Sequence, residues 1–195
     1  MPQEAFSKLP VAKRIELTQE ARAAGVPLTQ RWRELDLAVS EQWCMRAKAA
    51  APLLADAQSV ADLGCGHMLL ESCLRPSQGY VPVDLVARDS RTIVTDFNAE
   101  LLPKIAATHF AALGLLEYLY RLDDFLCQLS QAFTSGVASF FARRDVLEDA
   151  RLANGWVNHQ TEDEIRDLFR RSGFMIQHAV EWQPAHWLFR LDSLR

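Results

Sequence analysis

The sequence is poor in several features that would assign a class at once. It holds four cysteines in 195 residues, Cys44, Cys65, Cys73 and Cys127, and none forms a C-x-x-C pair. Zinc-ligand spacing is missing, so no metal site is expected, and the thiols read as reduced and mostly buried, as in a cytoplasmic protein. No apolar run approaches the ~20 residues that cross a bilayer. Residues 1–10 lack the apolar h-region of a secretory signal. Basic excess is absent as well: 21 Lys and Arg face 25 Asp and Glu, a formal net charge of -4. Nucleic acid is therefore not expected as the main partner. Internal repeats and low-complexity segments are missing too.

What remains is an ordinary globular composition, 49% hydrophobic and 24% charged, in a chain long enough to bury one sizeable core. A single domain over residues 1–195 is expected, with residues 1–54 as a helical cap and 55–195 as a sheet core. Residues 4–24 read as helix, with Leu9, Val11, Ile15 and Leu17 among charges, broken by Gly25-Val26-Pro27. Residues 28–54 read as a second helical stretch carrying Trp32, Leu35, Leu37, Val39, Trp43 and Ala47.

From Ser59 the texture changes to short β-branched runs alternating with helical segments. Strands are expected at 59–63, 80–85, 91–95, 108–113 and 136–141, with a helix start at 68–74 and an amphipathic helix at 122–133. Residues 161–172 form a helix capped by Thr161, with Glu164 completing a capping box and Gly173 ending it. Residues 175–182 and 187–191 read as a closing antiparallel pair. The fold class is thus α/β, a Rossmann-like, doubly wound and mostly parallel sheet with a C-terminal antiparallel hairpin and an N-terminal helical cap.

The chemistry gathers at strand ends. Val60-Ala61-Asp62-Leu63-Gly64-Cys65-Gly66 is a buried strand ending in a carboxylate and a Gly-x-Gly turn. Two further strands end in Asp84 and Asp96. In open parallel sheets ligands bind beyond the carboxyl ends of the strands, and glycine lets the backbone turn tightly beside a ligand. The helix expected after the turn offers free amides to a carboxylate or phosphate. Asp84, about twenty residues on, suits two ribose hydroxyls. Asp96 suits an exocyclic adenine amine, and Phe97 the face of the base.

From about Trp43 onward the chain resembles the class I S-adenosylmethionine-dependent methyltransferases. Residues 61–66 resemble the family's first motif, Val83-Asp84-Leu85 its ribose-binding acidic loop and Asp96-Phe97 its adenine-binding pair. Residues 114–119, Gly-Leu-Leu-Glu-Tyr-Leu, resemble the segment after its fourth strand, and residues 161–174 its late helix. The resemblance implies S-adenosyl-L-methionine as cofactor. Asp62 would orient its amino group, Gly64, Cys65 and Gly66 would approach its methionine part, and Asp84 would hold the ribose. Leu85 would flank the adenine, Asp96 and Phe97 would meet its edge and face, and the backbone near Leu113 would accept from the amino group. Arg46 either pairs with the carboxylate or is a solvated helix residue. Two positions depart from the family: Met68 stands where a third glycine is common, and the acidic residue that often opens the fourth strand is replaced near Thr108-His109.

Methyl transfer needs positioning more than a fixed catalytic group. His159 and Glu117 are the candidate bases, His159 otherwise being a surface or capping residue and Glu117 a helix-end residue. Tyr118 and Trp156 are the candidate acceptor contacts, and an anionic acceptor held by Arg143 or Arg144 is a further option. The expected partner is a small-molecule acceptor, including a saccharide or lipid-linked intermediate. Two other readings stand beside this one: a non-catalytic binding subunit on the same fold, and a nicotinamide-dependent oxidoreductase. The latter needs G-x-G-x-x-G, and Leu69 stands at the place of its third glycine.

Overall fold

Apolar, β-branched runs between turn residues become seven strands: β1 (Ser59–Leu63), β2 (Gly79–Asp84), β3 (Ile93–Val94), β4 (His109–Ala112), β5 (Ser135–Phe141), β6 (Phe174–Gln183) and β7 (His186–Ser193). The computed structural model describes residues 5–33, 41–144 and 148–195. The strands form one sheet in the order β3-β2-β1-β4-β5-β7-β6. The first five run parallel, and β7 lies antiparallel between β5 and β6. The chain builds outward from β1 to β3 and then crosses to β4 on the other side. That reversal opens a crevice at the carboxyl ends of β1 and β4.

The helices are α1 (Val11–Ala24), α2 (Thr29–Arg33), α3 (Glu41–Ala50), α4 (Leu122–Ala132), α5 (Glu148–Leu152) and α6 (Glu162–Arg171). Side-chain alternation along the strands divides the core between the two faces of the sheet. Ala61, Leu63, Phe110 and Phe189 pack under α4 and α6, through Phe125, Leu126, Leu129, Ile165 and Phe169. Val60, Ala111, Val137 and Leu188 face Ala47 and Ala50 of α3 and Leu54 beyond it. The capping box at α6 forms as expected: Thr161 N donates to Glu164 Oε2 at 2.7 Å, and Glu164 N to Thr161 Oγ1 at 3.3 Å. No helix among the described residues is long and apolar enough to cross a membrane.

Three expectations are corrected. The helix expected at 68–74 is a turn followed by a single 3-10 turn, Glu71–Cys73. Met68 sits at φ 54, outside the helical region, and Pro76 disfavours helical geometry at Arg75. Of the helix expected at 28–54, the described residues hold α2 and α3, and it ends at Ala50 in a 3-10 turn, Ala51–Leu54, with Pro52 in its first positions; Leu35, Leu37 and Val39 lie outside the described residues. The first helix begins only after Pro10, and its apolar stripe is not a core face. Val11 is 54% exposed and Thr18 is its one buried residue. Thr18 Oγ1 instead donates to Leu152 O at 3.0 Å, and Arg14 Nη1 to Ala153 O at 3.0 Å, fastening α1 to α5 and the loop after it.

Candidate active site

The turn after β1 is stitched to β2. Gly64 N and Cys65 N both donate to Val83 O, at 2.8 and 3.1 Å. Gly64 (φ 73) and Gly66 (φ 49) take left-handed conformations that suit glycine. A Cβ on Gly64 would press Leu115 at 3.3 Å. Within this frame Asp62 is buried and accepts from Tyr80 Oη at 2.7 Å. Burial pushes its pKa up to about 7, against the opposing pull of Tyr80 and Arg46.

Asp84 closes the next strand. Its Oδ2 accepts from Gly66 N at 2.8 Å; its Oδ1 accepts from Val86 N and from Arg88 Nη2, both at 3.1 Å. Arg88 also donates through Nη1 to Trp32 O at 2.9 Å, so one guanidinium joins this carboxylate to the N-terminal cap. Asp96 Oδ1 accepts from Asn98 N at 2.9 Å, and Phe97 packs on Phe125 at 5.1 Å. Asn98 in turn accepts from Tyr120 N at 2.7 Å.

At the end of β4, Gly114 (φ 71) lies against Arg46, whose guanidinium a Cβ on Gly114 would strike. Arg46 has no hydrogen-bond partner among the described residues. Burial lowers its pKa, while the nearby acids Glu117 and Asp62 oppose that shift. The solvated-helix option for Arg46 is thereby set aside.

Leu113, Leu85 and all the groups above except Val83, Val86, Tyr80 and Phe125 line one cavity of about 520 Å³, within the range of small-molecule sites. Its far end is walled by Tyr118, Phe141, Trp156, Trp182 and His186. Trp156 Nε1 donates to Tyr118 Oη at 2.9 Å. Glu117 is a buried node: its Oε1 accepts from Phe141 N at 2.8 Å, and its carbonyl accepts from Val157 N at 2.8 Å and Asn158 N at 3.3 Å. Burial raises its pKa, and its Oε2 is buried without a partner among the described residues.

The structure therefore brings together Asp62, Gly64, Cys65, Gly66, Asp84, Leu85, Asp96, Phe97, Leu113, Glu117, Tyr118 and Trp156, and leaves out His159, Arg143 and Arg144. His159 is not on the cavity wall. Arg151, fully buried, donates through Nε to His159 Nδ1 at 3.2 Å and through Nη2 to Phe141 O and Asn158 O. That anchoring holds the imidazole behind the wall, where burial and the Arg151 charge lower its pKa. Arg143 and Arg144 are also off the wall; Arg144 pairs with Glu181 at 2.6 Å.

Sequence reasoning missed Tyr80, Arg88, Trp182 and His186. Arg88 stands four residues after Asp84 in one loop, which is a usable signal. Trp182 and His186 flank the hairpin turn, and nothing local says that the turn abuts β5.

No protein-family model matches the chain, and no curated protein matches it. Solved structures do. The mitomycin 7-O-methyltransferase MmcR superposes with a TM-score of 0.67 at 15% identity, over 96% of this chain and 70% of that one. The Burkholderia thailandensis 1,6-didemethyltoxoflavin-N1-methyltransferase, solved with its acceptor and S-adenosylhomocysteine, gives 0.62 at 18%, over 96% and 93%. Human N-acetylserotonin methyltransferase, in complex with SAM, gives 0.63 at 12%, over 94% and 56%. The chain spans little more than half of that protein, as it does of LaPhzM and CalO1, at 54% each. At these identities the likeness establishes the fold, which is that of the class I S-adenosylmethionine-dependent methyltransferases.

Proposed function

We propose that this protein is an S-adenosylmethionine-dependent methyltransferase acting on a small-molecule acceptor. The observation that carries the reading is convergence. Three strand-end carboxylates, a Gly-x-Gly turn and a guanidinium without a partner among the described residues surround one cavity at the switch point of the sheet.

The residues present fit this cofactor. Arg46 is a half-buried cation on the cavity wall without a partner among the described residues, which suits the methionine carboxylate. It also replaces the helix N-terminus that is missing after Gly66. Asp62, beside it, suits the ammonium. Asp84 Oδ2 and Oδ1 are held in place by backbone amides, ready to accept from ribose hydroxyls. The same missing helix argues against a dinucleotide, whose pyrophosphate needs that helix end.

When bound, the cofactor supplies a methyl group already activated on a sulfonium. The protein's part is to bind, orient and exclude water. Arg88 and Trp32 draw the N-terminal cap over the ribose end. Glu117 is a positioning residue that ties the turn after β4 to β5 and to residues 157–158. His159, off the wall, has no direct part. The four cysteines are unpaired, in keeping with a cytoplasmic setting.

Calorimetry tests the reading. S-adenosylhomocysteine should bind and raise the melting temperature, whereas NAD and NADP should not, since only a ligand of the folded state stabilises it. Absence of S-adenosylhomocysteine binding would leave a non-catalytic member of the fold.

A further inference from the structure

Six rings run in contact along one wall of the cavity. Trp182 stacks on His186 (5.4 Å, 6°), and His186 meets Phe141 edge-on at 4.2 Å. Phe141 meets Trp156 at 4.9 Å, Trp156 is bonded to Tyr118, and Tyr118 meets Trp32 at 4.8 Å. These rings come from β6, β7, β5, the loop after α5, the turn after β4 and α2. All six line the cavity. Flat faces and edges of this kind are matched by another flat ring.

Cations back this wall. The Arg31 guanidinium lies 4.7 Å from the Trp32 ring and 5.3 Å from that of Tyr118. Arg151 lies 5.1 Å from Trp156 and 5.6 Å from Phe141. Arg46, on α3, is the cation assigned above to the cofactor's carboxylate. The acids on the cavity wall are Asp62, Asp84, Asp96 and Glu117. Burial disfavours ionisation of both Asp62 and Glu117, and Asp84 is matched by Arg88. Burial above all, with Arg46 and Arg151 adding to it, holds the His186 pKa down to about 4, so it adds no charge at neutral pH.

We infer that the acceptor is a planar aromatic alcohol taken up as its oxyanion. The inference rests on the methyltransferase reading and names its substrate class. The ring lies along the wall from Trp182 to Tyr118. The oxygen is already ionised in solution when selected, its proton having gone to water.

The test uses 7-hydroxycoumarin and 2-naphthol with the whole protein, because the neutral and ionised forms of each differ in absorbance and fluorescence. Binding of S-adenosylhomocysteine is measured in parallel. The expected result is that the oxyanion binds about tenfold or more tightly than the neutral phenol, a downward shift of roughly one unit in the bound ligand's ionisation midpoint. Trp182→Leu should weaken binding by roughly tenfold, as loss of an aromatic contact does. His186→Leu serves as a second variant should the first fail to fold. Equal binding of the two forms overturns the inference. So does failure of both phenols to bind a protein that takes S-adenosylhomocysteine. Loss of S-adenosylhomocysteine binding instead strikes the reading beneath it.

Discussion

Asp84→Asn is the sharpest perturbation of the proposed cofactor site. The carboxylate accepts hydrogen bonds from Gly66 N, Val86 N and Arg88, with Cys65 Sγ a weak fourth donor at 4.0 Å. Asparagine keeps one acceptor oxygen and replaces the other with a donor, which faces either Gly66 N or the Arg88 guanidinium. Hydrogen bonds to a charged group contribute about 1.5–3 kcal/mol each. Loss of one such bond to a ribose hydroxyl therefore weakens S-adenosylhomocysteine by roughly 10- to 150-fold. A separate cost falls on stability. The Arg88–Asp84 pair is largely buried, with side chains 13% and 7% exposed, and breaking a buried pair from one side costs up to about 3–5 kcal/mol. Arg88→Gln separates the two effects. It also loses the pair, but it keeps both Asp84 oxygens as acceptors, with Oδ1 relieved of a competitor, so affinity should hold or rise while stability falls. Calorimetric titration at a temperature where both variants are folded by circular dichroism decides the matter. Asp84→Asn binding S-adenosylhomocysteine with wild-type affinity would refute the reasoning.

Three further outcomes are expected. The Asp62 carboxyl titrates near 3.8 when unfolded and near 7 when folded. Stability is therefore greatest below its unfolded pKa and declines as pH rises toward 7, by about 4 kcal/mol in all. Denaturation across that range should show the slope, Asp62→Asn should flatten it, and Tyr80→Phe should move its upper end to higher pH by removing the hydrogen bond that holds the pKa down. Gly136→Ala would drive a Cβ into the Phe110 ring, and overpacking of this kind costs about 1–3 kcal/mol. An unchanged melting temperature would mean that the β4–β5 pairing is looser than described. Thr161→Ala removes half of the α6 capping box and should lower stability by about 1 kcal/mol, read as a drop in denaturant midpoint without a change in slope.

Much was legible in the chain itself. Thr161 and Glu164 cap α6 because a helix end needs partners for its amides, and those partners lie within one turn. Apolar strands ending in Asp62, Asp84 and Asp96 announced themselves because alternation and turn chemistry act over a few residues. The closing strand pair at 175–182 and 187–191 was legible for the same reason. Tertiary structure alone decided the rest. Only the packing of Met68 and the residues up to Pro76 showed that no helix follows the glycine turn, and so that Arg46 is the cation available there. Only burial of Arg151 drew His159 away from the cavity. Trp182 and His186 reach the site because β7 inserts beside β5, a neighbour fifty residues distant in sequence. Local patterns report what a residue does to its own backbone. Which side chains share a cavity depends on the order in which strands cross the sheet, and no short-range pattern encodes that order.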